Sequence, residues 1–351
     1  MLPNPPRRFL IVGSGIAGSL LAWELLRLGA EITVCRDKIN PGSSPVAAGL
    51  ITPITGLRFV KSWNLDRVFP QALTTYQELE TLSGNQVFQA LPILRLFKND
   101  AEAVRWSRKT DSEDLQKFIS AEWNQAPSVP GILHHGGGLE IRGGGWVHVP
   151  ALVESLENLM KNRVRYFDQA MVYEDLKVSK LTAWWQGEEF DRVLFCQGYR
   201  PENPWFDWLE WKAAQGEILT LHIPEFPQDR IINRGLFILP LGNSFFRCGA
   251  TYNWNYLQPK PSAKGRSQLE TELRQLISLH FKVVDHNAAV RPILKHPFPL
   301  LGLHPRFSVL GIFNGLGSKG TLTAPYYARH FANHLVAGEL LDPEIHVGRN
   351  L

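Results

Sequence analysis

Gly13, Ser14, Gly15, Ile16, Ala17 and Gly18 form a GxGxxG turn, the residue pattern with the clearest chemistry in this chain. That chemistry is diphosphate binding. Gly13 permits the tight turn, Gly15 removes a Cβ that would collide with a pyrophosphate, and Gly18 lets a following helix lie close to the strand. Free N–H groups at the helix start then face the phosphate oxygens. The context fits: residues 9–12 are an apolar run, residues 19–26 continue at helical spacing, and Glu31 to Cys35 reads as a second strand. Other reactive side chains lack a productive spacing. His134, His135 and His148 match no metal-ligand set. Cys35, Cys196 and Cys248 lie far apart with no CxxC or Cys/His pair, so neither a zinc site nor a disulfide framework is expected. Buried apolar thiols suit a reducing compartment.

The elements that must hold this turn are those of an ordinary globular chain: 351 residues, 44% hydrophobic and 20% charged, enough for one large domain or two intertwined ones. A net charge of +4 and a pI near 8.9 permit an anionic partner without requiring one, and no Lys/Arg block argues for nucleic acid. Arg7-Arg8 before an apolar run imitates a secretory leader, but cleavage after its small residues would destroy the glycine turn. No apolar run reaches the roughly 18 residues of a membrane span, so a soluble, cytoplasmic protein is expected. Helices are expected over 66–83, 99–109, 150–162, 266–280 and 323–337, and strands over 86–97, 164–167, 171–177, 181–186, 192–196 and 308–313. From 216 to 252 the pattern changes to long alternating segments, which read as an antiparallel sheet. The expected fold is α/β: a discontinuous Rossmann-like domain (1–85, 146–205 and 285–351) with an inserted α+β substrate domain on an antiparallel sheet (86–145 and 206–284).

Several further segments follow the glycine turn in order: Ser44-Pro45-Val46-Ala47-Ala48-Gly49-Leu50, Gly143-Gly144-Gly145-Trp146-Val147, Val193-Leu194-Phe195-Cys196-Gln197-Gly198, Leu239-Pro240, Gly249-Ala250-Thr251, and Arg291-Pro292 with Pro299-Leu300-Leu301-Gly302. The series ends in Asn314-Gly315-Leu316-Gly317-Ser318-Lys319-Gly320-Thr321-Leu322-Thr323-Ala324-Pro325. Together they resemble the D-amino-acid oxidase, glycine oxidase and sarcosine oxidase family of FAD-dependent oxidoreductases, across nearly the whole chain. The last segment is also similar to the FAD domain of the bifunctional enzymes that trim the wobble-uridine side chain of tRNA.

The resemblance implies that Gly13, Ser14, Gly15, Ile16, Ala17 and Gly18 meet the pyrophosphate of FAD and that Ala47, Ala48, Gly49 and Leu50 line the flavin. It implies further that Val172 holds adenine through its backbone, that Gly198 passes under the cofactor, and that Gly315, Leu316, Gly317, Ser318, Lys319, Gly320 and Thr321 wrap the pyrimidine end of the ring. The helix start after Gly320 would stabilise negative charge near N1 and the C2 carbonyl. Lys319 either adds to that stabilisation or points to solvent. One position departs from the pattern, because the acidic residue that binds ribose hydroxyls falls at Arg36 by strand counting. Asp37, 19 positions after Gly18, takes the role if the strand end shifts by one residue; Arg36 would instead accept a 2′-phosphate or lie solvated at the surface. With no Cys in 285–325 and no His in 41–60, FAD is expected to be non-covalent.

For the reaction, the resemblance implies hydride removal from a carbon that bears an amine, with the protein orienting that carbon. Arg291 matches the family arginine that binds the substrate carboxylate through two parallel charge-assisted hydrogen bonds. The acid often found a few positions later is His296 here, which leaves a structural salt bridge as the other role for Arg291. Tyr252 and Trp254 would wall the pocket. The leading expectation is oxidation of a small amine or amino acid with oxygen as acceptor. The alternatives are a tRNA wobble-uridine side-chain oxidase, disfavoured by the lack of an RNA-binding appendage, and a non-catalytic flavoprotein or redox sensor. Oligomeric state is unreadable from the sequence.

Overall fold

The computed structural model describes residues 7–125, 129–134, 136–255 and 259–350. Short, largely apolar runs build its first sheet, because strands covered on both faces have little polar side to show. Six strands lie in the order Val164–Phe167, Glu31–Cys35, Arg8–Val12, Arg192–Phe195, Leu310–Asn314, Leu300–Leu303, the first five parallel and the last antiparallel. Alternation along the central strand divides two cores. Phe9 and Ile11 face helices Ile16–Arg27, Leu65–Ser83, Val149–Met160 and Gly320–Ala337. Leu10 and Val12 face the aromatic cluster of Trp185, Phe190, Phe195 and Phe206.

One proline shapes the start of the helix Gly320–Ala337. Pro325 has no N–H to give the carbonyl four residues back, on Thr321, and the fully buried Tyr76 hydroxyl donates to that carbonyl instead. A polar group left over by sequence is thus satisfied by a distant helix.

The second sheet has eight strands in the order Lys282–Arg291, Ala214–His222, Phe245–Gly249, Leu236–Gly242, Ile231–Arg234, Ile93–Leu96, Gly138–Ile141, Ile119–Trp123, with a single parallel pair between Ile231–Arg234 and Ile93–Leu96. Its alternation sets up the site. Leu219, Leu221, Phe246, Cys248, Ile238, Ile232 and Leu94 pack with Leu269 and Leu273 of helix Ala263–Arg274. The opposite register of Gly216, Ile218, Gly249, Phe237, Asn233, Ile93, Arg95 and Ile141 lines a cavity facing the first sheet's loops. A Rossmann-like parallel sheet with an inserted antiparallel one is therefore the architecture.

Local differences from the sequence reading have physical causes. The single strand expected over 86–97 is two, Phe88–Ala90 and Ile93–Leu96, in different sheets, because Pro92 breaks the ladder and offers only its carbonyl, to Ile231 N–H. Residues 171–177 hold a 3₁₀ turn, Tyr173–Asp175, in place of most of the expected strand. The helix expected to reach 280 ends at Arg274, and Leu276 and Ile277 turn into the second sheet's core. The ten-residue edge strand Lys282–Arg291 has too weak an apolar alternation to read locally, and it runs through the boundary expected at 285.

Candidate active site

The glycine turn closes on itself as tightly as its sequence demands. Gly13 has φ +105°, and a Cβ there would lie 2.5 Å from the Cys196 carbonyl oxygen; a Cβ on Gly18 would lie 1.9 Å from the Gly13 oxygen. No side chain fits either place. Ile16 N–H at the helix start donates to Ser44 Oγ at 3.0 Å, and Ser19 Oγ donates to the Ser14 carbonyl at 3.0 Å. Around Gly13, Ser14, Gly15, Ile16 and Ala17 opens a cleft of about 880 Å³ that Asp37, Ser44, Gly198 and Asn314 also line. A bare backbone cradle at a helix N-terminus fits the diphosphate of a dinucleotide.

Asp37 and Arg36 part company. Asp37 Oδ1 accepts the N–H of Ile39 at 3.0 Å and of Asn40 at 2.9 Å, and its carboxylate faces the cleft. Burial raises its pKa, and the hydrogen bonds from Asn40 and Ile39 outweigh that, holding the carboxyl below its usual range. Arg36 is buried elsewhere. Its Nε donates to Asp168 at 2.6 Å, its Nη1 to Glu157 at 2.5 Å, and its guanidinium lies 4.5 Å from the Tyr166 ring centre. It is neither a solvated arginine nor a lining residue of the cleft, which corrects both the 2′-phosphate and the ribose readings. Val172 is half exposed, and its neighbours Ala170, Met171 and Tyr173 line the cleft in its place. Gly198, at φ +65°, has its carbonyl held by Asn314 Nδ2 at 2.7 Å.

A second cavity, about 620 Å³, adjoins the cleft through Ile16, Ser43, Ser44 and Val46. Residues 47–50 and 316–321 form one side of it, the second sheet the other. Gly49 sits at φ +74° with room for no Cβ, since one would lie 1.9 Å from the Val147 oxygen. Thr321 Oγ1 donates to the Gly49 carbonyl at 3.3 Å, and Arg247 reaches across from the second sheet to donate to the Ala47 carbonyl at 2.6 Å. Gly315 and Gly317 take positive φ, which a glycine-free loop would not allow without strain. Lys319 stands at the N-cap position of the helix Gly320–Ala337, and its side chain points inward, its Nζ donating to Thr55 Oγ1 at 3.2 Å. Burial pushes its pKa down to about 8. The solvent-facing alternative for Lys319 therefore does not hold.

Arg291 ends the edge strand and lies flat over a glycine. A Cβ at Gly216 would lie 2.2 Å from Arg291 Nη2, so only glycine leaves the guanidinium its place. Arg291 Nη1 donates to the Thr251 carbonyl at 3.2 Å, and the guanidinium stands 4.0 Å from the Tyr252 ring centre. Among the described residues no carboxylate forms an ion pair with it, so the salt-bridge alternative fails, and burial lowers its pKa. His296, in the position of the family acid, is exposed. Tyr252 lines the cavity while half exposed; Trp254, its ring centre 6.0 Å away, is outside the lining.

Sequence reasoning missed Arg95 and Glu102, which line the same cavity. Both are more than nine-tenths buried, with Arg95 Nη2 3.8 Å from Glu102 Oε1. The available signal was a lone charge inside the otherwise apolar run 93–97. Conversely, the described residues contain no cluster of His, Cys, Asp or Glu able to hold a metal, and no helix long and apolar enough to cross a membrane. His148 caps a helix, accepting Ala151 N–H at Nδ1; His135 lies outside the described residues. All three cysteines are buried and free, with Cys35 pushed up to about 12 by burial and by Asp37.

Comparison with known proteins agrees with this geometry. A family profile described as "FAD dependent oxidoreductase" (DAO) matches residues 8–334. The tRNA 5-methylaminomethyl-2-thiouridine biosynthesis bifunctional protein MnmC of Pseudomonas entomophila (strain L48) is 30% identical over 198 residues, 55% of this chain and 29% of that protein. MnmC of Hahella chejuensis (strain KCTC 2396) is 24% identical over 368 residues, covering 96% of this chain and 57% of that protein. The matched part is thus between about a quarter and three fifths of the length of these relatives. Among solved structures, glycine oxidase from Geobacillus kaustophilus superposes with a TM-score of 0.80 at 18% identity, covering 96% of each chain. Iminodiacetate oxidase from Chelativorans sp. BNC1 gives 0.75 at 20% identity, covering 95% of this chain and 96% of that one. The cradle, the two-sheet architecture and the profile spanning both converge: the chain belongs to the DAO family of FAD-dependent oxidoreductases, and its cofactor is FAD.

Proposed function

We propose that this chain oxidises the C–N bond of an amine that carries a carboxylate, a small amino acid or N-substituted amino acid. The observation that carries the reading is Arg291, a half-buried guanidinium without a counter-charge among the described residues, lining the cavity between residues 47–50, residues 316–321 and the second sheet. A planar guanidinium holds a carboxylate by two parallel N–H donors, and in a site shielded from water such bonds fix orientation as well as adding affinity. When bound, FAD supplies a two-electron acceptor. Gly13 to Gly18 would hold its diphosphate, Asp37 its ribose, and residues 47–50 with 315–321 its ring system. The N–H groups at the start of helix Gly320–Ala337, with Lys319 beside them, favour negative charge at that end of the cavity. Tyr252 shields the Arg291 side from water. The oxidised substrate is an imine, which water splits to a carbonyl compound and an amine or ammonia, with oxygen as the final acceptor.

A second reading, oxidation of the tRNA wobble-uridine side chain, is favoured by the MnmC relatives, whose names assign them to tRNA 5-methylaminomethyl-2-thiouridine biosynthesis. A product assay separates the two. Glycine, N-methylglycine, iminodiacetate and D-amino acids are incubated with the FAD-loaded protein and carbonyl product and peroxide are measured; in parallel, tRNA is digested and its nucleosides analysed. Turnover of carboxylated amines with unaltered tRNA supports the first reading. Loss of a carboxymethyl mark from tRNA, with salt-dependent binding, supports the second. Carbonyl product with no peroxide would replace oxygen as acceptor. No reaction with either substrate class would leave a flavoprotein without amine chemistry.

A further inference from the structure

The cavity has a second cation that the carboxylate reading does not use. Arg95 belongs to strand Ile93–Leu96, five strands from the edge strand that ends in Arg291. Neighbouring strands lie about 4.8 Å apart, so the two backbones stand about 24 Å apart across the sheet. Both side chains nevertheless line one continuous cavity, with Ile218, Gly249, Phe237 and Asn233 between them. The floor between the two cations is therefore mostly apolar.

Arg95 is under-bonded where it sits. A guanidinium has five N–H donors, yet its buried Nε has no hydrogen-bond partner among the described residues. Its Nη2 comes only within 3.8 Å of Glu102, beyond hydrogen-bond reach, and Glu102 Oε2 instead accepts the Lys98 N–H at 3.0 Å. Its guanidinium carbon lies 4.5 Å from the centre of the Phe59 ring. An oxyanion in the cavity would give the guanidinium the hydrogen-bonded counter-charge that Glu102, at 3.8 Å, does not supply. Among the described residues the charged side chains lining the cavity are Arg95, Arg291 and Lys319 against Glu102, so the cavity as a whole favours anions.

We infer that Arg95 forms a distal oxyanion subsite, and that the substrate is an elongated, N-substituted amino acid whose far end carries a carboxylate or phosphate. This rests on the proposed carboxylate-amine chemistry at the Arg291 end. The near carboxylate engages Arg291, the apolar middle runs along Ile218 and Phe237, and the terminal oxyanion meets the terminal nitrogens of Arg95. Glu102 limits the affinity of that end for anions and so discriminates against ligands with a weakly charged terminus.

The test compares N-alkylglycines of increasing chain length that end in a methyl group, a carboxylate or a phosphate. Binding to the FAD-loaded protein is read from the perturbation of the visible flavin spectrum under nitrogen, and the quantity is the ratio of dissociation constants, methyl-ended over anion-ended, at each length. In the wild-type protein the ratio should stay near 1 for short chains and rise to about 10-fold or more at the length that reaches Arg95, since a hydrogen bond to a charged group is worth about 1.5–3 kcal/mol. The carboxylate and phosphate arms say which oxyanion is preferred. Arg95→Met should return the ratio to about 1 at every length, whereas Glu102→Gln, which keeps an acceptor for Lys98 N–H, should raise it. A merely structural Arg95–Glu102 pair would be damaged alike by both substitutions and would leave the ratio flat. A ratio near 1 at all lengths in the wild-type protein overturns the subsite while N-methylglycine binding keeps the carboxylate-amine reading intact. Failure of every glycine derivative to bind overturns both.

Discussion

Replacing Arg291 by Met separates a binding arginine from a structural one, because the first role predicts little change in stability and the second a marked loss. Methionine keeps much of the stem's volume while removing the charge. It cannot make the hydrogen bond to the Thr251 carbonyl, 3.2 Å, worth about 1.5–3 kcal/mol for a charged donor, or the cation stacking on Tyr252 at 4.0 Å, worth about 0.5–2 kcal/mol. Against these stands relief of desolvation, about 2–4 kcal/mol for a half-buried cation that has no counter-charge among the described residues. The two sides nearly cancel, so Arg291→Met should change unfolding free energy by less than about 2 kcal/mol in urea titration without ligand. The same substitution removes both donors from a bound carboxylate, a loss of about 2–4 kcal/mol, or roughly 30- to 1,000-fold in affinity. The assay is flavin-absorbance titration with N-methylglycine and with dimethylamine, which lacks the carboxylate. A large loss for the first and a small one for the second is expected. Marked destabilisation together with equal losses for both amines would refute the role argued for Arg291.

Other residues give independent expectations. Tyr76→Phe leaves the Thr321 carbonyl orphaned beneath Pro325 and should cost about 1–3 kcal/mol of stability by denaturant unfolding; an unchanged midpoint would contradict that bond. Lys319, with its pKa near 8 against an ordinary 10.5, is charged in both states below pH 8. Between 8 and 10.5 the unfolded chain binds the proton that the folded chain does not, so stability from this group rises with pH across that window. Lys319→Met should flatten that rise, which paired urea titrations from pH 7.5 to 10.5 would read; identical slopes would count against it. Arg36→Met should lower the melting temperature without lowering FAD content, since Arg36 binds Glu157 and Asp168 rather than lining the cleft. A colourless but stable variant would return Arg36 to the cofactor site.

The features legible in the sequence are the local ones. The GxGxxG turn carries its strand, its helix and its steric reason within about 20 residues, and the structure places those glycines where no Cβ fits. Loop 314–325 is legible for the same reason. Arg36 is not, because the acids that bury it, Glu157 and Asp168, come from more than a hundred residues away. The inward turn of Lys319 depends on Thr55, again a distant segment. Arg95 hides in a run that simply reads as strand; its isolation becomes visible only when sheet order puts Ile93–Leu96 beside Ile231–Arg234 and turns alternate side chains to the cavity. Edge strand Lys282–Arg291 escapes because its exposed edge removes the alternation that marks strands.

The most direct test of carboxylate-amine oxidation is the visible spectrum of the FAD-loaded protein under nitrogen, before and after addition of amines matched with and without a carboxylate. Bleaching of the flavin bands by at least one carboxylated amine, and far slower bleaching by its decarboxylated partner, is the expected result. A flavin spectrum left unchanged by every carboxylated amine, or bleached equally by both members of each pair, would contradict it.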